Sequence, residues 1–146
     1  MVKISLDHLD SISLYRSNSK SLTETSESIA KMIDLSKATL ITGDFNVCLM
    51  KNPTNIITTS LQKLGFKQLI CEATHNLGNF FIYYVRILFV KYLLGGHIDH
   101  AYWRDPSNLM MDPILELYSP YYSDHDSILI TIDARHQKPE DHRIKK

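Results

Sequence analysis

Three short stretches hold the residue types that could do chemistry: Gly43-Asp44-Phe45-Asn46, Gly96-His97-Ile98-Asp99-His100 and Tyr122-Ser123-Asp124-His125-Asp126. A carboxylate and an amide two residues apart on a tight turn, Asp44 and Asn46, can point to one side. There the Asp can accept a proton from water while the Asn holds a phosphate oxygen or the water itself. Asp124-His125 sets a candidate metal ligand beside an imidazole, and a remote carboxylate such as Asp99 can hold that imidazole in one tautomer and favour its charged form. Each site also has a plain structural reading. Asp44 and Asn46 suit an Asx-turn, His125 can cap a strand, and Asp99 can pair with Arg104.

The elements around these stretches place all three at strand ends. Ile12 to Tyr15 alternates apolar and polar residues and runs into the turn cluster Arg16-Ser17-Asn18-Ser19. Ser21-Leu22-Thr23-Glu24 fits a capping box, and Leu22, Ile29, Met32 and Ile33 share a face, which predicts a helix to about Leu35. Ala38 to Thr42 reads as a strand ending at Gly43-Asp44. A shorter helix is expected over Thr58–Leu64 with Gly65 as its stop. Ile98–Trp103, Leu115–Leu117 and Ile128–Ile132 read as further strands. Strand, helix, strand in about 30 residues predicts an α/β layered domain, whose strand ends open onto a shared crevice.

With 146 residues and 44% hydrophobic content, the chain can fill a core, and its length suits one domain. Sixteen Lys+Arg against 16 Asp+Glu argue against a dedicated nucleic-acid coat, though not against a small charged cleft. Cys48 and Cys71 form no C-x-x-C, so neither a zinc knuckle nor a disulfide framework is indicated, and the first eight residues have no apolar h-region. An intracellular setting is expected, nuclear or cytoplasmic. The most apolar stretch, Asn79 to Leu94, is shorter than the ~20 residues of a membrane helix and is interrupted by Arg86 and Lys91. No membrane partner is expected. From Arg135 onward the chain is polar and mixed in charge, which predicts a flexible tail over 135–146.

Taken in order, Gly43-Asp44-Phe45-Asn46, Ile98-Asp99-His100 and Ser123-Asp124-His125 resemble the three C-terminal motifs of the endonuclease/exonuclease/phosphatase family. That family includes apurinic/apyrimidinic endonucleases, deoxyribonuclease I-like enzymes, inositol-polyphosphate phosphatases and retroelement endonucleases. Leu14-Tyr15-Arg16-Ser17, Leu61 to Phe66 and Ala73-Thr74-His75 are similar to smaller elements of the family, so the resemblance spans residues 10–133. It implies a four-layer α/β sandwich and divalent-metal-dependent phosphodiester hydrolysis, with Mg²⁺ or Mn²⁺ as Lewis acid. By the same resemblance, Asp44 would orient and deprotonate the attacking water and Asn46 would fix the phosphate. His125 would stabilise phosphoryl charge with Asp99 behind it, and Tyr15 would contact the scissile phosphate. Asp124, with Asp44 as a further candidate, would lie near the metal, and Thr74 would contact substrate; Trp103 can stack on a substrate base or fill the core, the core being the favoured reading. The motif style looks most like a mobile-element DNA endonuclease, with a phosphatase of the same family as another reading.

Two departures from the family pattern accompany the resemblance. The family's main metal ligand is a Glu in the N-terminal half of the sandwich, and this chain begins after that position. Residues 1–134 therefore read as a truncated domain lacking its N-terminal half. Such a domain would expose an apolar sheet face that the missing half or a partner protein would cover. The segment 79–95 reads as an insertion of the translated-intron kind. A rival from another class is a non-catalytic remnant serving as a binding or structural module. A zinc hydrolase built on His97, Asp99, His100 and His125 is a third reading. Strand alternation opposes it, because His97 and Asp99 share one face while His100 takes the other.

Overall fold

The computed structural model describes residues 1–70, 73–76, 95–96, 98–108, 110–118 and 125–133. Its elements are β1 (Val2–Ser5), β2 (Leu9–Tyr15), α1 (Leu22–Met32), β3 (Ala38–Asp44), α2 (Ile56–Lys63) and β4 (Lys67–Gln68). They continue with β5 (His75–Asn76), β6 (Gly95–Gly96), β7 (Asp99–Arg104), β8 (Ile114–Tyr118) and β9 (Ser127–Thr131). The fold is mixed α/β: a five-stranded sheet ordered β1-β2-β3-β7-β4, with the pairs β5-β6 and β8-β9 beside it. β2 and β3 are parallel, joined through α1, while β1, β7 and β4 are antiparallel to their neighbours.

Alternation along the strands sends Ile12 and Leu14 of β2, Ile41 of β3 and Tyr102 of β7 to one face. There they join Ile29 of α1, Ile57 and Leu61 of α2, and Phe45 and Phe66 in one buried cluster. Each large side chain buried this way stabilises the fold by roughly 1.5–3 kcal/mol. Ser21 caps α1, its hydroxyl accepting from the Thr23 N–H at 3.2 Å, without the reciprocal Glu24 bond of a full capping box. The helix stops at Met32 instead of running to Leu35. Ile33 is extended, and the Asp34 carboxylate accepts from the Ser36 N–H at 2.9 Å, so an Asx-turn competes successfully with a further helical turn. Asn55 caps α2, accepting from Ile57 and Thr58, and Gly65 follows that helix at φ +84°.

On the other face Val2, Ile4 and Tyr15 are 64%, 62% and 70% exposed. Val2 and Ile4 lie opposite Ser13 and Ser11, so along β1 and β2 this face mixes apolar and hydroxyl side chains. The segment 79–95, apart from Gly95, and the tail 135–146 lie outside the described residues. Asn76 pairs with Gly95, so the chain leaves and returns at adjacent positions there. Among the described residues no helix is long and apolar enough to cross a membrane.

Asp10 of β2 is fully buried, with Lys3 Nζ at 2.7 Å and Lys37 Nζ at 3.9 Å. Burial pushes its carboxyl up, but hydrogen bonds from Lys3 and Ser5 and the charges of Lys3 and Lys37 outweigh it and hold the pKa below the ordinary 3.8. A depressed folded pKa gives stability that is present above the unfolded value and lost as pH falls through the folded one. Thermal melts from pH 7 to pH 2 should therefore show wild type more stable than Asp10→Asn above about pH 4, the gap closing at lower pH. A gap unchanged across that range would contradict this account.

Candidate functional site

Cross-strand register builds the site. Tyr15, the last residue of β2, is the partner of Asp44, the last of β3, and Asp44 is the partner of Asp99, the first of β7. Register partners share a face, so the three side chains stand in a row with about 4.8 Å between successive strands. Asp99 is buried, Asp44 half-buried and Tyr15 exposed. Gly43 makes the close approach of β3 to β2 feasible: a Cβ there would sit 1.8 Å from the Leu14 carbonyl oxygen, at φ +144°.

Beyond Asp44 the chain turns sharply, with Asn46 in the left-handed region at φ 49°. Asp44 Oδ1 accepts from the Asn46 backbone N–H at 2.8 Å, the Asx-turn that the pair's spacing suggests. Asn46 Nδ2 donates to the Arg16 carbonyl at 2.7 Å and to Asp44 Oδ2 at 3.2 Å. Both amide hydrogens are thus engaged by protein acceptors, and Asn46 presents only its Oδ1 to a ligand. A carbonyl oxygen cannot donate to a phosphate oxygen. It can accept from water or ligate a cation, which narrows the two roles open to Asn46 from the sequence to the water-holding one.

His125 Nδ1 lies 2.9 Å from Asp99 Oδ2, fixing the ring's orientation. Thr74 sets this pair. It is fully buried, its Oγ1 accepts from the Asp99 N–H at 3.2 Å, and its carbonyl accepts from the Asp126 N–H at 2.7 Å. Thr74 therefore braces Asp99 against the neighbour of His125 and offers no surface to a substrate. Trp103 also lies apart from the site: it is 4% exposed and stands four residues along β7 from Asp99, about 13 Å away. The pairing of Asp99 is with His125; Arg104 instead donates to the Leu35 carbonyl.

Ligand atoms of Asp44, Asp99 and His125 all lie within 4.8 Å of one another, a possible metal-binding triad. Two carboxylates and an imidazole fit a divalent cation that accepts oxygen and nitrogen donors, after small side-chain rotations. Asp124, the ligand expected from the sequence, lies outside the described residues, as do Ser123 and His97. Comparison with protein-family models, curated proteins and solved structures finds no match.

His100 is turned away from this face. It is 1% exposed and stacks on Phe45 at 4.4 Å between ring centroids. Its Nε2 lies 2.8 Å from the Val47 carbonyl and its Nδ1 3.3 Å from the Tyr102 hydroxyl. That hydroxyl lies 3.0 Å from Thr58 Oγ1, which accepts from Asn55 Nδ2 at 3.0 Å. A carbonyl only accepts and an amide nitrogen only donates, so the chain runs one way: Asn55 to Thr58 to Tyr102 to His100 to Val47. Burial pushes the Tyr102 phenol above its ordinary pKa, against a smaller opposing effect of the Thr58 bond. A zinc centre using His100 beside Asp99 is thereby excluded, because alternation puts the two on opposite faces and both ring nitrogens serve the core.

Arg16 is the site's unforeseen component. Only 6% exposed, it donates from Nε to the Phe45 carbonyl at 2.5 Å, from Nη2 to the Asn46 carbonyl at 2.8 Å and from Nη1 to the Lys20 carbonyl at 2.6 Å. Its main-chain N–H also reaches the Asp44 carbonyl at 2.9 Å. From sequence it reads as part of a turn cluster, and only the strand Ile12 to Tyr15 running straight into it signals a role at a strand end.

Proposed function

We propose that the chain is a divalent-metal-dependent phosphodiesterase, most plainly a DNA endonuclease related to the endonuclease/exonuclease/phosphatase family. In this reading its α/β layer is one half of a four-layer sandwich. The observation that carries the reading is the meeting of Asp44, Asp99 and His125 from three distant stretches at one sheet end, within 4.8 Å. Their order along the chain is that of the family's motifs, which lends support independent of the geometry.

Asp44, half-exposed on the open face, accepts a proton from a water whose other hydrogen Asn46 Oδ1 accepts. Asp44 oxygens already engaged by Asn46 retain further lone pairs for this. His125, steadied by Asp99, meets the charge that grows on the phosphoryl oxygens. Tyr15, exposed beside Asp44, offers its phenol to the same phosphate. A bound Mg²⁺ or Mn²⁺ would be held by the carboxylates of Asp44 and Asp99, with the His125 imidazole kept for the phosphoryl oxygens, and would act as a Lewis acid toward the phosphate.

The test is hydrolysis of supercoiled plasmid, an abasic-site duplex and a small phosphomonoester, each with Mg²⁺ and with chelator. The expected result is Mg²⁺-dependent strand cleavage without phosphomonoester turnover. Turnover of the monoester alone would make the chain a phosphatase, and cation binding with no turnover of any substrate would leave a binding module.

A further inference from the structure

The turn that carries Asn46 is gripped by side chains through its own backbone. Three consecutive carbonyls, those of Phe45, Asn46 and Val47, each accept from a buried side chain: Arg16 Nε, Arg16 Nη2 and His100 Nε2. The Phe45 N–H meanwhile donates to the Ile98 carbonyl at 2.9 Å, tying the turn to the start of β7. Among the described residues no carboxylate pairs with the Arg16 guanidinium. A buried cation whose recorded partners are all backbone carbonyls is unusual, because arginine in protein interiors is normally matched by an anion. Its planar fork suits two adjacent carbonyls at fixed spacing, which a lysine cannot imitate. The grip has a definite object. Asn46 sits at φ 49°, in the left-handed region that asparagine enters more readily than other non-glycine residues and that the turn holds in place here. That conformation brings the Asn46 N–H onto Asp44 and turns its amide so that Oδ1 remains for a ligand.

We propose that Arg16 is a positioning residue of the site, which with His100 clamps the carbonyls of 45–47 and thereby aims Asn46 and Asp44 at the reacting water. The activity side of this proposal rests on the hydrolytic reading above. The clamp itself does not. Arg16 touches no substrate; it acts through Asn46.

Two measurements on the full chain decide the matter. In wild type, NMR should show a slowly exchanging Arg16 Nε–H coupled across its hydrogen bond to the Phe45 carbonyl carbon, and a protected Asn46 amide. A freely exchanging Arg16 Nε–H would overturn the clamp. In Arg16→Lys, Asn46 amide exchange should quicken at least about tenfold while amides of β2 and α1 stay protected, and kcat for plasmid cleavage should fall about tenfold with KM unchanged. Added guanidinium should restore part of the loss in Arg16→Ala and none in Asp44→Asn. Uniform loss of protection, or wild-type Asn46 exchange and full kcat in Arg16→Lys, would reduce Arg16 to a core residue and refute the proposal. If wild type cleaves nothing, the hydrolytic reading fails, while the exchange data still judge the clamp.

Discussion

Asp44→Asn is expected to lower the rate of Mg²⁺-dependent strand cleavage by about 10²–10⁴-fold, the usual contribution of a positioned base. The substitution is chosen because it keeps the main-chain bond of the turn and gives up only the weaker 3.2 Å bond from Asn46 Nδ2 to Asp44 Oδ2, which an amide nitrogen cannot accept. The new Oδ1 still accepts from the Asn46 N–H, replacing the 2.8 Å bond that Asp44 makes. What disappears is the negative charge and the proton acceptor. Asp44 and Asp99 are register partners on neighbouring strands, and like charges directly opposite one another destabilise a sheet. Relief of that repulsion offsets the lost Asn46 Nδ2 bond, so the variant should unfold near the wild-type temperature while losing activity. Parallel thermal melts and cleavage rates check this; an active Asp44→Asn protein would remove the proposed base, and an unstable one would make the turn the sole role of this residue.

Gly43→Ala has the largest predicted effect on the fold. The added Cβ would lie 1.8 Å from the Leu14 carbonyl oxygen and 2.8 Å from its carbonyl carbon, both backbone atoms that no side-chain rotation can clear. Leu14 and Gly43 are register partners, so relief requires parting β2 from β3 at the end where Tyr15 and Asp44 stand side by side. The expected cost is about 4 kcal/mol or more, in the range of severe core defects, and a melting temperature lower by roughly 10–15 °C. Gly65→Ala supplies the contrast. Its φ is +84°, but the nearest heavy atom to a Cβ is Arg104 Nε at 3.7 Å, so only backbone strain of about 1–2 kcal/mol applies. Circular-dichroism melts of the two variants should separate clearly, and a Gly43→Ala protein melting near wild type would contradict the close approach.

How much of this was legible in the sequence depended on how local each signal was. The strands from Ile12, Ala38 and Asp99, and both helices, follow from alternation, helical spacing and the residues Ser21 and Gly65. β1 and the two-residue strands β4, β5 and β6 were missed, because such short pairings take their stability from a neighbour and carry little pattern of their own. The convergence of Asp44, Asp99 and His125 was expected from motif order, and the structure places them together. Trp103 is buried, in line with its favoured core reading, whereas Thr74 carried no signal of burial, since an isolated Thr reads alike in a core and on a surface. Arg16 and the direction of the Asn46 amide were invisible because both depend on contacts thirty residues apart in the chain.

The central claim is that Asp44 and the Asp99-His125 pair act as one hydrolytic unit. Single-turnover cleavage of supercoiled DNA at fixed Mn²⁺, by wild type, Asp44→Asn, His125→Ala and the double variant, tests it most directly. Residues that serve one transition state are strongly non-additive, so the double variant should cleave no more slowly than the slower single variant. Losses that multiply, or wild-type rates in His125→Ala, would contradict it.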